Sequence, residues 1–310
     1  MSVRIFIDGA AGTTGLEIRD RLGGRDDIAL VALHEDRRKD PAARAEALNE
    51  ADAVILCLPD DAAREAVALI ENASVRVIDA STAHRTDPTW AYGFAELEPD
   101  SRQMLSGATR VSNPGCYPTG FLALVRPLVR AGLLPAETLL SVNATSGYSG
   151  GGKAMIAEFE QPDGADESFR LYALGLGHKH VPEMQQHAGL AYAPIFAPAV
   201  ARTYRGMLVE VPIHLHALPG SPRLSDLRDA LVDAYRDSKV VHVMDGSPAK
   251  LTLEQCAGTD RLELYVLGSD ASGQARLVAA LDNLGKGAAG AAVQNLNLVA
   301  GLDETAGLRL

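Results

Sequence analysis

The sequence predicts an α/β protein built from a parallel-sheet domain and a second, α+β domain with a mixed or antiparallel sheet. Short, nearly continuous apolar runs alternate with longer mixed segments through the first 80 residues. Such runs are typical of parallel strands covered on both faces, and the spacing of Ala63, Val67 and Ile70 predicts a crossover helix. The predicted strands are VRIFID (3–8), IALVAL (28–33), DAVILCL (52–58) and VRVIDA (75–80).

The pattern changes in the middle of the chain. A helical pattern at 121–134 contains Pro127, which we expect to bend the helix or end it. The strand-like runs that follow alternate apolar and polar residues, as in an antiparallel sheet with one covered face. These runs are TLLSVNAT (138–145), GMLVEVPIHLHAL (206–218) and LELYVLGSD (262–270).

These patterns predict two domains. We assign residues 1–115 to the first and residues 116–282 to the second. The end of the chain has small residues on one helical face, which permit close packing. We therefore expect a C-terminal helix within 283–310 to complete the first domain.

Charge and cysteine content limit the partners and the compartment. The net charge of −11 repels nucleic acid and anionic membranes, so we expect neither as a partner, and an anionic substrate needs a local basic site. The three cysteines are widely spaced, which predicts no disulfide. The first apolar run is too short for a signal peptide, and we expect a cytoplasmic protein.

A glycine-rich loop follows the first predicted strand. In GAAGTTG, Gly9, Gly12 and Gly15 are three residues apart, Thr13 and Thr14 precede the last, and a helical pattern follows. Backbone amides at such a helix start can hold a pyrophosphate, because glycine allows close approach and the helix dipole favours an anion. The spacing is not the usual G-x-G-x-x-G, and a plain tight turn is the alternative. With a strand before it and a helix after it, the loop predicts a Rossmann-like dinucleotide site.

A charged run, HEDRRKD, lies about 20 residues after the glycines, where a ribose-reading residue belongs. Glu35 and Asp36 suit the free 2′-hydroxyl of NAD. Arg37, Arg38 and Lys39 suit the 2′-phosphate of NADP, and three consecutive bases favour NADP. The alternative is a solvated charge run after a strand.

Cys116 stands in SNPGCYPTG, between turn residues and a helical pattern. Pro118 suits a first helical turn, so the sulfur is expected near a helix N-terminus, where amides and the dipole favour the reactive thiolate. Most cysteines are small buried apolar residues, and Cys57 in VILCL fits that description. Cys116 fits it poorly, because its neighbours build a turn.

A thiolate that attacks an acyl carbon needs an acid/base partner. The segment GLGHKHVPE offers His178 and His180, which would point the same way on an extended segment. Either could serve as the partner. The alternative is a polar surface loop.

Two other motifs point to different chemistry. GYSGGGKA matches a phosphate loop from Gly147 to Lys153, but Ala154 stands where a Mg²⁺-binding Ser or Thr is required. His178 and His180 with two histidines of HLHAL, at 214 and 216, could form a zinc site for hydrolysis. The second pair lies in an alternating strand, where outward polar residues are ordinary, and we predict no metal.

Several motifs occur together in the order of a known family. They are GAAGTTG, DASTAHR, YGFAELEP, SNPGCYPTG, GHKHVPE and NLGKGAAGAAVQN. In these, the chain resembles the shorter N-acetyl-γ-glutamyl-phosphate reductases of arginine biosynthesis, which are related to aspartate-semialdehyde dehydrogenases. The resemblance implies an NADPH-dependent reduction of an acyl phosphate to a semialdehyde, through a thioester on Cys116, in a homotetramer.

The resemblance also implies roles for further residues. His180 is the implied acid/base group, with His178 as second candidate. For the substrate, it implies Arg85 as phosphate ligand, Asn113 beside the nucleophile, and Lys153 and Arg205 as carboxylate ligands; for the cofactor, it implies Asn283 and Gly285 near the nicotinamide.

Three other functions remain open at this point. The chain could reduce another acyl phosphate, as aspartate-semialdehyde dehydrogenases do. A zinc hydrolase on the four histidines is a different class of enzyme. An NADP-binding regulator would keep the fold and lose the chemistry.

Overall fold

The computed structural model describes residues 2–34, 37, 40–161, 164 and 166–310. The chain divides into two compact units, which we call unit 1 and unit 2. Unit 1 comprises Met1–Ala95, Asp100–Pro114 and Ala288–Leu308. Unit 2 comprises Glu96–Pro99, Gly115–Gly287 and Arg309–Leu310.

Unit 1 is built on a six-stranded sheet in which every pairing is parallel. The strand order is β2-β1-β3-β4-β6-β5. The strands are β1 (Val3–Asp8), β2 (Ile28–Val31), β3 (Ala53–Leu56), β4 (Arg76–Asp79), β5 (Ala91–Tyr92) and β6 (Arg110–Ser112). Its helices are α1 (Thr13–Leu22), α2 (Pro41–Glu50), α3 (Asp60–Ala68), α4 (Ser101–Gly107) and the C-terminal α9 (Gly290–Ala300).

The sheet of unit 1 is covered on both faces, as nearly continuous apolar strands require. On β1, Ile5 and Ile7 pack on one face, in a cluster that includes Ile18 of α1 and Val293 of α9. Phe6 points to the other face. The parallel register brings the carboxyl ends of β1, β2 and β3 together beside the glycine loop.

Unit 2 contains a seven-stranded mixed sheet with the order β11-β12-β13-β10-β7-β9-β8. The pairs β11·β12 and β7·β9 are parallel and the others antiparallel. This confirms the predicted fold class, and the second sheet is mixed. Its strands are β7 (Ser141–Gly147), β8 (Phe169–Leu171), β9 (Ile195–Ala201), β10 (Met207–His214), β11 (Val241–Val243), β12 (Leu262–Ser269) and β13 (Gln274–Leu281).

The helices of unit 2 are α5 (Cys116–Arg130), α6 (Gly152–Glu160), α7 (His180–Ala188) and α8 (Leu224–Tyr235). Helix α5 packs against β10 and β13 and against α7 and α8. None of the helices in the described part of the chain is both long and apolar enough to cross a membrane.

Pro127 does not end α5, so that alternative of the expectation is wrong. The helix continues to Arg130. A proline at 127 removes the amide that would bond the carbonyl of Ala123. The hydroxyl of Tyr235 donates to that carbonyl instead, at 2.8 Å, so the backbone acceptor stays satisfied and the helix continues.

Candidate functional site

The glycine loop of unit 1 is a turn that side chains would disrupt. Gly9 has φ +86°, and a Cβ there would lie 2.3 Å from the carbonyl oxygen of Cys57. A Cβ on Gly15 would lie 2.6 Å from the carbonyl oxygen of Gly9. The amide of Gly12 donates to the same oxygen at 2.9 Å. The turn therefore depends on glycine at both its first and last positions.

Helix α1 begins directly after this turn, with Gly12 as its N-cap and no side chain capping its amides. Thr13 and Thr14 form its first turn and are half-buried. A cavity of about 510 Å³ adjoins the turn. It is lined by the backbone of the turn, by the apolar ends of β1 and β2, and by Leu58. A helix start without a side-chain cap, a glycine backbone and an apolar cavity fit a dinucleotide.

The structure describes only part of the charged run HEDRRKD. Arg37 is half exposed and lies 3.7 Å from Asp40 and 3.9 Å from Glu46. Arg38 lies outside the described residues. Two other arginines line the cavity, Arg19 of α1 and Arg44 of α2, and sequence reasoning missed both.

Arg85 and Asn113 lie in unit 1, and the side chain of each forms hydrogen bonds to other segments of that unit. The guanidinium of Arg85 donates to the carbonyls of Asn113 at 2.9 Å and Ala80 at 3.0 Å. The amide of Asn113 donates to the carbonyl of Ala288, and its oxygen accepts from Asn295. These hydrogen bonds tie the loop that carries Arg85 to the segments around Ala80 and Asn113.

In unit 2, Cys116 is the first residue of α5, as its turn residues predict. The N-cap is Gly115, with no side-chain cap, and its amide donates to Oε1 of Glu183 at 2.8 Å. A Cβ on Gly287 would lie 2.9 Å from the Cβ of Cys116, so the chain passes close to the cysteine there. The helix start positions the sulfur where the dipole favours a thiolate.

The two predicted histidines lie together beside this helix. The ring centroids of His178 and His180 are 4.7 Å apart, and that of His180 is 5.9 Å from the ring of Tyr117. His180 begins α7, so the expectation of one extended segment is wrong. The backbone amide of His180 donates to Nδ1 of His178 at 3.1 Å. In neutral His178 the proton is therefore on Nε2.

Burial governs the ionisation of the neighbouring groups. It lowers the pKa of His178, helped by Lys179 and opposed by Glu183. Burial also raises the pKa of Tyr117 well above its ordinary value and that of Tyr172 to about 12. Both phenols therefore keep their protons near neutral pH, and the Tyr172 hydroxyl donates to that of Tyr117 at 3.1 Å.

The other two cysteines are in different surroundings. Burial raises the pKa of Cys57 to about 12, with smaller contributions from Asp79 and Asp8. Burial raises the pKa of Cys256 to about 12 as well. Both stay thiols at neutral pH, which leaves Cys116 as the candidate nucleophile.

Glu183 is a site residue that sequence reasoning missed. Its side chain is buried within the first turn of α7 and accepts from the amide that precedes Cys116. The signal was its position three residues after His180, which places both on one helical face.

The remaining predicted residues lie elsewhere in unit 2. Lys153 is exposed near the start of α6. The guanidinium of Arg205 lies 3.2 Å from the buried carboxylate of Asp282.

The two predicted nicotinamide residues have close contacts within unit 2. The amide of Asn283 donates to Ser149 Oγ and accepts from the amide of Gly206, both at 2.9 Å. A Cβ on Gly285 would lie 2.0 Å from the carbonyl oxygen of Thr259. Glycine is therefore required there by backbone packing.

The described residues contain no group of three or more metal-ligating side chains that could hold a metal ion. The four histidines considered for zinc are all described, so they do not assemble such a group.

Family models match both parts of the chain. The NAD binding domain of semialdehyde dehydrogenases matches residues 4–104. The dimerisation domain of semialdehyde dehydrogenases matches residues 116–283.

Curated relatives are similar along nearly the whole chain. N-acetyl-gamma-glutamyl-phosphate reductase 2 of a Nostoc species is 50% identical, covering 98% of this chain and 99% of its own. The N-acetyl-gamma-glutamyl-phosphate reductase of Brucella anthropi is 51% identical, covering 97% and 99%.

Solved structures share the fold at low identity. Aspartate semialdehyde dehydrogenase II of Vibrio cholerae has a TM-score of 0.73 at 15% identity, covering 97% of this chain and 99% of its own. The aspartate semialdehyde dehydrogenase of Candida albicans, solved with NADP, has a TM-score of 0.66 at 14% identity, covering 97% and 99%.

Proposed function

Because this chain belongs to the semialdehyde dehydrogenase family, we propose that it is an N-acetyl-γ-glutamyl-phosphate reductase that uses NADP(H). Identity of about 50% to named reductases over nearly the whole chain carries this proposal. The site agrees with it, since a cysteine at a helix start lies in the same unit as two adjacent histidines.

Cys116 is the proposed nucleophile. Its thiolate forms a bond to the acyl carbon, and the carbon–oxygen bond to phosphate breaks, so that phosphate leaves with the bonding electrons and a thioester remains. The start of α5 favours the thiolate.

The cofactor, when bound, supplies the hydride that reduces the thioester. Unit 1 contributes the glycine turn, Thr13 and Thr14, and the start of α1, which together fit the pyrophosphate. The adjoining cavity would take the adenosine end of the cofactor.

The histidines handle the proton, and we assign the acid/base role to His180. His178 Nδ1 already accepts the amide of His180. Since its lowered pKa favours the neutral form, His178 serves as a fixed Nε2–H donor. His180, buried beside Tyr117, is then the group that gives a proton to the sulfur of Cys116 as the carbon–sulfur bond breaks and the aldehyde leaves.

Glu183 is a proposed positioning residue. Its carboxylate joins the first turn of α7 to the N-cap of α5. Because His180 is in the same turn of α7, this hydrogen bond fixes the histidine relative to Cys116.

Substrate anions require basic groups in an acidic protein. We assign Arg85 to phosphate, with Asn113 holding its loop through the bond to Arg85 Nε. For the substrate carboxylate, Lys153 is favoured over Arg205. Lys153 makes no ion pair within the described part of the chain, whereas Arg205 already contacts Asp282.

We also infer a homotetramer that works in the cytoplasm. The dimerisation domain match supports assembly, and so does a run of apolar side chains in unit 2 that are each more than half exposed. They are Phe169, Leu171, Leu174, Leu176 and Ile195. Light scattering that gives the mass of one chain would contradict the tetramer, and recovery outside the cytoplasm on cell fractionation would contradict the compartment.

The direct test is phosphate-dependent reduction of NADP⁺ with N-acetylglutamate semialdehyde, comparing the native chain with Cys116→Ser. We expect turnover in the native chain and a loss of at least about 10³-fold in the variant. Aspartate semialdehyde is the rival substrate, since the structural relatives are aspartate semialdehyde dehydrogenases. Preference for that substrate would overturn the proposed specificity, and an active variant would overturn the covalent mechanism.

A further inference from the structure

The cofactor cavity of unit 1 has two cationic side chains among the described residues that line it, Arg19 and Arg44. Arg37, the described base of the charged run, does not line it. Among the described residues, the positive charge that meets a ligand in this cavity therefore comes from helices α1 and α2.

Arg44 is held in place by an ion pair within the cavity wall. Its Nη2 lies 2.8 Å and its Nε 3.3 Å from Oδ2 of Asp8, at the end of β1. The two side chains are only 14% and 9% exposed. One edge of the guanidinium is thus fixed, and its Nη1 has no hydrogen-bond partner among the described residues. The N–H groups of a planar guanidinium fixed in this way can donate to phosphate oxygens as well.

Arg19 and Arg37 are less suited to select a ligand. Arg19 is exposed on α1. Arg37 is half exposed, and its carboxylate neighbours lie beyond hydrogen-bond distance. Water and salt screen the charges of Arg19 and Arg37. The charge of Arg44, whose side chain is mostly buried in the cavity wall, is screened much less.

We propose that Arg44 reads the 2′-phosphate of the cofactor and so determines the preference for NADP(H) over NAD(H). This inference rests on the proposed use of NADP(H). Asp8 orients the guanidinium and partly compensates its charge when no phosphate is bound. The dianionic 2′-phosphate then accepts hydrogen bonds from the N–H groups of Arg44 that Asp8 leaves unused.

The test is calorimetric binding of two adenosine fragments that differ only in this group, adenosine 2′,5′-bisphosphate and 5′-AMP. We expect the native chain to bind the bisphosphate about 10- to 100-fold more tightly. Arg44→Ala should bring the bisphosphate close to the affinity of 5′-AMP and change 5′-AMP binding by less than about 3-fold. Arg37→Ala is the matched control and should leave the ratio unchanged.

Two further variants distinguish loss of phosphate binding from a folding defect of Arg44→Ala. Arg44→Lys keeps the charge but loses the fork, and should retain part of the discrimination. Asp8→Asn removes the competing carboxylate and should strengthen bisphosphate binding a few-fold. The proposal is overturned if Arg44→Ala weakens both fragments equally, if Arg37→Ala abolishes the discrimination, or if the native chain shows none. The fragments involve neither Cys116 nor an acyl phosphate, so failure of the reductase assay would be a separate result.

Discussion

The proposed catalytic cluster of unit 2 and the proposed cofactor cavity of unit 1 differ in how far apart their polar residues lie along the chain. In unit 2, His178, His180 and Glu183 fall within six residues of sequence. In unit 1, Arg44 and its partner Asp8 are 36 residues apart. A cluster built from one short segment is visible as a motif, whereas a pair assembled by the sheet is visible only in the fold.

Among the histidines, substitution of His180 should cause the largest loss of activity. His180→Asn should lower kcat by about 10²- to 10⁴-fold, because it removes the proposed proton donor. His178→Gln keeps a side-chain donor near the position of Nε2–H and should cost much less. Steady-state kinetics of both variants checks the ranking, and an equal loss in the two would contradict our assignment of roles.

The glycine turn gives the largest expected effect in unit 1. Gly9→Ala should cost about 2–3 kcal/mol or more in unfolding free energy, because it combines strained φ with a clash against the Cys57 carbonyl. Gly24→Ala is the matched control, with φ +77° and nothing within 4 Å of its Cβ. We expect about 1–2 kcal/mol there from φ alone. Urea unfolding of both variants measures the difference, and equal losses would show that the clash is relieved.

Substitution of Glu183 should have two smaller effects, one on stability and one on the pKa of His178. Glu183→Ala leaves the Gly115 amide without its acceptor and should cost about 1–3 kcal/mol of stability. Glu183→Gln keeps an acceptor and removes the charge. Since Glu183 raises the pKa of His178, the glutamine variant should lower that pKa further. A histidine NMR titration checks the direction, and a raised or unchanged midpoint would refute the electrostatic part.

The smallest expected effect concerns Pro127 and Tyr235. Tyr235→Phe should cost about 1 kcal/mol, because the carbonyl of Ala123 loses its donor. In a Pro127→Ala background, the restored amide can bond that carbonyl, so the same change should cost less. A double-mutant cycle by thermal unfolding measures this coupling, and additive losses would show that the tyrosine does not compensate the proline.

Local pattern predicted much of the fold and the position of Cys116 at a helix start. Apolar runs predicted the parallel sheet of unit 1, and turn residues around Cys116 predicted a helix start there. The relation between Pro127 and Tyr235 could not be predicted, because the donor lies 112 residues from the carbonyl it satisfies. Local rules describe the backbone group that a proline leaves unsatisfied, and only tertiary packing supplies its new partner.

Arg44 could not be predicted for a similar reason. The three consecutive basic residues of HEDRRKD indicate a phosphate site by composition. Arg44, in contrast, stands among alanines in an ordinary helical segment. Its proposed role follows from the parallel sheet, which brings the ends of β1 and β2 and the start of α2 to one cavity.

The most direct test of the account is detection of an acyl group on Cys116. Protein mixed with N-acetyl-γ-glutamyl phosphate without NADPH should release about one phosphate per active site and, after acid quench, carry the acyl group on the Cys116 peptide by mass spectrometry. Cys57 and Cys256, with pKa values raised to about 12, should stay unmodified at pH 7.5. An unmodified Cys116 peptide in a sample that turns over normally once NADPH is added would contradict the covalent mechanism.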